Sequence, residues 1–433
     1  MHKRRHFIKT LVGAGASLSF TSLHKLEQQE ALLDALQQVQ QVPLKQAIQE
    51  EELWKRVQEA YSVSRGMLNL NNGGVSPQPR IVRIAEEKYQ AMVNDLPSYE
   101  LARVLPKNRP ILKEKLARLA GCKASEIALM QNTTEGLQTV MMGINWKKGD
   151  EVVLSEHDYS TVKLGYQQLV ERYGIVLKWI TLPAPIEEEE AIVQLYQEQF
   201  TPRTRLVHLT QMVSWTGQIL PAKAIAKITQ AARKQGIFSL VDGAHSFAQL
   251  DFKIEDLQCD AFATSLHKWL GAPIGTGFLY VREEQIPNLW SLLPSAVTDK
   301  DFIHKFEHKG TTQLAREEAT HVAIDFHENI GIQLKEARLR YLKNYWASAF
   351  EKEEQLHFYT SFKPNYAGAL ALFDLPKGNY RKLSAFLQNK YRIHHTNSVA
   401  KGIQGLRISP NIYTSTQDLD RLVEAIQAYL KQG

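Results

Sequence analysis

The sequence predicts an α/β fold, with a large domain built on a mainly parallel sheet between helices and a smaller C-terminal α+β domain. Three observations carry this expectation. From Ile127 to Val241, short apolar runs alternate with helix-length amphipathic stretches, the pattern of strand–helix units that leaves a parallel sheet covered on both faces. Two of the runs end in chemistry-bearing residues: Asp242 follows Phe238–Val241, and Ser265-Leu266-His267-Lys268 follows Ala261–Thr264. Open α/β sheets bind ligands at the carboxyl ends of their strands, so an acid at one end and a Ser/His/Lys group at the next mark a site. Finally, 433 residues are enough for two or three domains and a sizeable core.

Taken in order, the chain opens on its charge. The net charge of +6 sits almost wholly in residues 1–25, where Lys3, Arg4, Arg5, Lys9 and Lys25 occur without an acid. The near-neutral remainder argues against nucleic acid as a partner. Composition elsewhere is that of a globular protein, 44% hydrophobic and 23% charged. Met1 to about Leu23 reads as an export signal, a basic start followed by an apolar stretch too short for an ordinary transmembrane helix. Arg4-Arg5-His6-Phe7-Ile8-Lys9 resembles a twin-arginine signal, whose pathway carries folded cargo. The expected location is therefore periplasmic or otherwise exported. A basic tail on a cytoplasmic enzyme is the alternative, and cleavage or retention of the segment is left open because no A-x-A site follows. Residues 26–66 read as a helical arm, broken at Pro43, that packs on the body or on a second subunit. Cys122 and Cys259 read as two buried free thiols, with a single disulfide as the alternative.

The large domain is expected over residues 67–313. Leu68-Asn69-Leu70-Asn71-Asn72-Gly73-Gly74 opens it with a turn, and helices follow at Arg80–Asn94 and Arg109–Ala120. Strand Ile127–Met130, the polar turn Gln131–Gly136 and a helix from Leu137 form a strand–helix unit whose capped N-terminus suits an anion. Strand Glu151–Ser155 delivers Glu156-His157-Asp158-Tyr159. Helices Tyr166–Tyr173, Glu187–Phe200 and Pro221–Gln235 alternate with strands Val176–Leu182 and Arg205–Thr210. Gly271, Gly275 and Gly277 mark a close return strand after the lysine. Leu289–Asp301 is irregular. One long helix, from Ala315 to about Phe350, then leads through residues 314–433, with strands at Ala369–Phe373 and Gly405–Ile408 and helices at Tyr380–Lys390 and Asp418–Leu430. No metal-ligand spacing, Walker loop or repeat is present in the sequence.

Asp242-Gly243-Ala244-His245, then Ser265-x-His267-Lys268-Trp269 and a glycine-rich strand, resembles the class V aminotransferase family of fold-type I pyridoxal-phosphate enzymes. The His-Lys-Trp-Leu version is most similar to the isopenicillin N epimerase-like group, and the resemblance runs from about Leu68 to the C-terminus. It implies pyridoxal 5'-phosphate as cofactor, held by Lys268 as a Schiff base, with the same amine moving the α-proton. The resemblance assigns Asp242 to the ring nitrogen and His245 to the phenolic oxygen. It gives the phosphate to Thr133, Thr134, Ser265 and His267. His157 would stack on the ring, with Tyr159 in reserve, and Ser214 would lie beside the phenolic oxygen. Arg407 would hold the substrate carboxylate as a two-pronged pair, and Asn72 with Gly73 would touch substrate. Thr311 in His308–Thr312 would close the phosphate cup of a neighbouring subunit, making the protein a homodimer. Each residue taken alone has a plainer reading, such as an Asp-Gly turn or a snorkelling surface lysine; their joint order weighs against it.

The resemblance does not fix the reaction. An aminotransferase acting on an amino-acid amine is expected first. An amino-acid or peptide epimerase or racemase comes next, with a lyase beside it and an exported binding protein as the non-enzymatic alternative. A cysteine desulfurase is excluded, since neither cysteine lies on a loop of the C-terminal third where a sulfur-accepting thiol is needed.

Overall fold

The computed structural model describes residue 32 and residues 42–296, 299–376 and 378–432. The expected signal segment 1–25 and most of the arm before residue 42 lie outside the described residues. The rest of the arm holds a single helical turn at Leu44–Ala47 and helix α1 (Glu51–Glu59), which buries Leu53, Trp54 and Val57. It docks on this same chain: the wholly buried Arg338 stacks on the Trp54 ring at 4.9 Å and pairs with Glu51 at 2.8 Å.

Strand β1 (Leu68–Asn69) follows, then helices α2 (Arg80–Asp95) and α3 (Arg109–Ala120). Next come β2 (Ile127–Met130), α4 (Thr133–Gly143), β3 (Glu151–Ser155), α5 (Ser160–Tyr173), β4 (Val176–Ile180) and α6 (Glu189–Gln197). The alternation continues through β5 (Thr204–Thr210), α7 (Ala222–Lys234), β6 (Phe238–Asp242), β7 (Ala261–Ser265) and β8 (Gly277–Val281). These strands form one seven-stranded sheet in the order β2-β8-β7-β6-β5-β3-β4, parallel except for β8, which runs against both neighbours. Successive residues point to opposite faces of a strand, and here both faces are core. Ile127, Leu129, Val207, Leu209 and Phe262 pack on one side, while Ala128, Met130, Leu206, Ala261 and Ala263 pack on the other. That is why the strands read as continuous apolar runs.

Past the sheet, the expected single long helix is two, α8 (Leu314–Ile330) and α9 (Ile332–Ala347). Gly331 separates them with φ 83, which no α-helix accommodates. The C-terminal part contains β9 (His357–Phe358), β10 (Ala371–Asp374), α10 (Tyr380–Lys390), β11 (Ile393–His394), β12 (Thr396–Ala400), β13 (Ile403–Ile408) and α11 (Thr416–Leu430). An antiparallel sheet, β12-β13-β10-β9, covers its own core of Phe373, Leu383, Leu406 and Leu422. β11 pairs in parallel with β1, so the entry segment 68–74 is carried by this second part of the chain. No described helix is long and apolar enough to cross a membrane.

Candidate active site

Three neighbouring strands deliver the chemistry. Thr210 and Asp242, the last residues of β5 and β6, are direct partners in register, and β7 ends beside them at Ser265. Gly243 turns the chain there. A Cβ on it would lie 1.8 Å from the Phe262 ring, so only glycine lets the loop to His245 pass this closely. The Ala244 N–H donates to Asp242 Oδ1 at 2.9 Å. His245 Nε2 lies 3.2 Å from Lys268 Nζ, while its Nδ1 is buried with no protein partner. Burial pushes Lys268 down to about 8; Asp242 opposes that shift and Arg407 adds to it. Burial likewise raises Asp242, against the Ala244 N–H and Lys268, and lowers His245. An amine with that pKa is a usable nucleophile near neutral pH.

One end of the cavity is a cradle. Asn132 caps α4, its side chain accepting from Glu135 N at 2.9 Å. The Thr133 N–H donates to Ser265 Oγ at 2.8 Å, and the two hydroxyls are 2.8 Å apart. Gly136 lets this helix approach β7, since a Cβ there would sit 2.9 Å from the Ala263 Cβ. His267 Nδ1 is 3.1 Å from the Thr276 carbonyl. Hydroxyls and a helix N-terminus converging in this way suit a phosphate. The wall away from the large sheet carries Arg407 of β13. Its Nη1 donates to Ser214 O at 2.6 Å and its Nη2 to Asn71 Oδ1 at 2.9 Å. Burial lowers it to about 10, its Nε has no protein partner, and among the described residues no carboxylate pairs with it.

Thr133, Thr134, Ser214, Asp242, His245, Ser265, His267, Lys268 and Arg407 therefore line one cavity of about 380 Å³. A wider open groove of about 1020 Å³, around Trp290, lies by the opposite end of β6 at Phe238 and holds none of these groups.

Three of the named residues do not line this cavity, and of these Thr311 was expected at a neighbouring subunit's site rather than its own. His157 is buried behind the wall with Nε2 3.3 Å from the Lys401 carbonyl, and the aromatic that reaches the cavity from this strand end is Tyr159. Asn72 spends its amide on Ser409 O, Asn69 and the Tyr413 hydroxyl, so Gly73 and Gly74 line the cavity in its place. Thr311 is exposed in a separate recess of about 250 Å³ with Arg109 and Arg316, outside its own chain's cavity.

Other lining residues went unread in the sequence. Thr210 ends a strand, and the rule that found Asp242 also points to it. Trp215 and Thr396–Ser398 gave no such signal. Behind Thr210 sits the fully buried Asp158, which accepts from Thr210 Oγ1 at 2.7 Å and Ser155 N at 2.8 Å. Burial raises its carboxyl to about 7, with Asp242 adding to the effect.

Pyridoxal phosphate fits this donor set on three counts: the hydroxyl-and-helix cradle, the unpartnered ring nitrogen of His245 beside the one lysine among the described residues of the cavity wall, and the buried Asp242.

Comparison with known proteins bears on both cofactor and reaction. The chain is 29% identical over 394 residues to isopenicillin N epimerase of Streptomyces clavuligerus, covering 87% of this chain and 98% of that one. It is 28% identical over 254 residues to an L-cysteine desulfhydrase-like protein of Epichloe uncinata, covering 56% and 54%. The cysteine desulfurase CsdA from Escherichia coli superposes with a TM-score of 0.74 at 20% identity, covering 87% of this chain and 98% of that one.

These matches correct the expected activity on both counts. The named relatives are an epimerase and a desulfhydrase-like protein, which removes the basis for an aminotransferase. The desulfhydrase-like relative removes the basis for excluding sulfur chemistry, and the desulfurase shows the shared fold. The exclusion rested on two thiols, buried Cys259 and half-buried Cys122, and it bears only on sulfur transfer to a protein thiol; release of a β-substituent as free sulfide uses none. The family model described as aminotransferase class-V matches residues 67–422, and the chain belongs to that family of fold-type I pyridoxal-phosphate enzymes.

Proposed function

We propose that the protein is an epimerase or racemase that removes and returns the α-proton of an amino acid or peptide bearing a free α-amine and carboxylate. The observation that carries this reading is the buried Arg407 guanidinium, without a carboxylate partner among the described residues, in the same cavity as Lys268. A substrate carboxylate there completes a charge-assisted pair and brings the α-carbon to the lysine amine. Near-end-to-end similarity to an epimerase supports the choice of reaction.

Bound in the cradle, pyridoxal phosphate supplies an aldehyde for the lysine and a ring that accepts the electron pair left at the α-carbon. The chain supplies the rest. Thr133, Thr134, Ser265 and His267 hold the phosphate, and Asp242 holds a positive ring nitrogen. His245, through its open Nδ1, and Ser214 are the candidates for the phenolic oxygen. Lys268, lowered to about 8, takes the α-proton and carries it. Inversion needs a second proton carrier, and Tyr159 is the lining hydroxyl assigned to it. Thr311, outside its own cavity, is assigned to a partner subunit's cradle, which makes the working unit a homodimer. Export through the Arg4–Lys9 segment belongs to the same proposal and rests on sequence alone.

The second reading is β-elimination, favoured by the desulfhydrase-like relative. One experiment separates the two. Purified protein with pyridoxal phosphate should gain a visible band, and borohydride should fix the cofactor to Lys268. Single amino acids in heavy water then give α-deuterium with inversion if it is an epimerase, or an oxo acid with ammonia and the lost β-group if it is a lyase. No band, or a band unchanged in Lys268→Ala, sinks both.

A further inference from the structure

We propose that Lys335 is a positioning residue for Lys268, clamping the backbone on its C-terminal side from the first turn of α9. The inference rests on the role given to Lys268 above. The carbonyls of the residues on either side of Lys268 are both held from outside the loop. His267 O accepts from Ser76 N at 3.1 Å, and Trp269 O accepts from Lys335 Nζ. Lys335 is 3% exposed, and its other polar neighbour is His327 Nδ1 at 3.3 Å, in the last turn of α8. Among the described residues no acid pairs with it. The charged and titratable groups facing this pair are His327 itself and Lys253, neither of which favours a further cation.

An ammonium at this place is poor for stability. It is out of water without a counter-ion, and the first turn of a helix repels positive charge. Burial pushes Lys335 down to about 7, so both of its forms are populated near neutrality. A methionine would fill the same space without those penalties. What it lacks is the donor to Trp269 O, one residue from the amine that does the chemistry. Gly331 breaks the chain four residues earlier, which aims the first turn of α9 back at this loop. The lysine therefore links the helix break to the setting of Lys268.

The test is Lys335→Met in the full chain, with and without pyridoxal phosphate. Expected are unchanged or higher thermal stability and amide exchange over residues 266–272 faster by about tenfold, the factor for one lost hydrogen bond to a charged donor. In the loaded protein the pH midpoint of the visible band shifts, and kcat falls while KM stays within about twofold. Exchange over 266–272 and a band midpoint that both match wild type overturn the inference. If wild type forms no band, the role of Lys268 fails, and exchange in the unloaded protein decides the clamp by itself. Should that variant not fold, Lys335→Gln gives a second readout: its shorter side chain falls short of Trp269 O, so exchange over 266–272 rises while the central sheet keeps its protection. Exchange matching wild type in that variant overturns the clamp.

Discussion

The two sides of the cavity are built by opposite means. On one side, Thr210, Asp242 and Ser265 stand at the ends of adjacent buried strands, and their spacing is fixed by sheet register. On the other, Gly73, Ser214, Trp215, Thr396–Ser398 and Arg407 come from loops and from a second sheet, brought together by side-chain bonds such as Arg407 to Ser214 O and Asn71. The sheet side can shift only if the core of the large sheet shifts. The far side can change one bond at a time. Substitutions on the sheet side should therefore act on the chemical step, and those on the far side on substrate affinity.

The sharpest test is Lys268→Ala. Removing the amine should lower kcat by about 10²–10⁴-fold, the range of a lost general acid–base group, and abolish borohydride fixation of the cofactor. Far-side control is Arg407→Lys. It keeps the charge but loses the planar fork, so KM should rise about 10- to 100-fold with kcat changed much less. A large fall in kcat with KM intact would erase the distinction between the two sides.

The same contrast governs what was legible in the sequence. The strand-end residues could be read because each follows directly on an apolar run, so Asp242, Ser265, His267 and Lys268 all reach the cavity. Arg407 and Ser214 were found through resemblance and also reach it. His157 and Asn72 lie outside the lining, while the residues named beside them, Tyr159 and Gly73, reach it, because a resemblance carried onto a loop does not fix which of two near neighbours turns inward. β12 was invisible because Thr396-Asn397-Ser398-Val399-Ala400 is a polar edge strand that buries little beyond Ser398. The break at Gly331 was written in the sequence, but helical spacing on both sides hid it.

A middle-sized effect joins the two sides through charge. An amine attacks an aldehyde only when unprotonated, so cofactor uptake should rise with pH up to about 8 and then level off. Asp242 raises the Lys268 pKa and Arg407 lowers it. Asp242→Asn should therefore move the midpoint down and Arg407→Met should move it up, as read by stopped-flow absorbance of the unloaded protein. Both variants shifting the same way would mean that burial, rather than these charges, sets the amine.

The smallest expected effect probes how firmly the far side is closed. The turn between β12 and β13 reaches the large sheet through Lys401, which pairs with Glu156 at 2.7 Å and offers its carbonyl to His157 at 3.3 Å. The Lys401 side chain is 67% exposed, and exposed pairs contribute about 0.2–1 kcal/mol. Lys401→Ala leaves the backbone carbonyl in place, so it should raise KM by about two- to fivefold, with kcat and the band midpoint unchanged. His157→Ala removes the second tie and leaves an unfilled buried site, so its larger effect should again fall on KM. If His157→Ala instead shifts the visible band and lowers kcat, the imidazole acts on the cofactor from the sheet side. The tie between Lys401 and this strand end would then be the pair with Glu156.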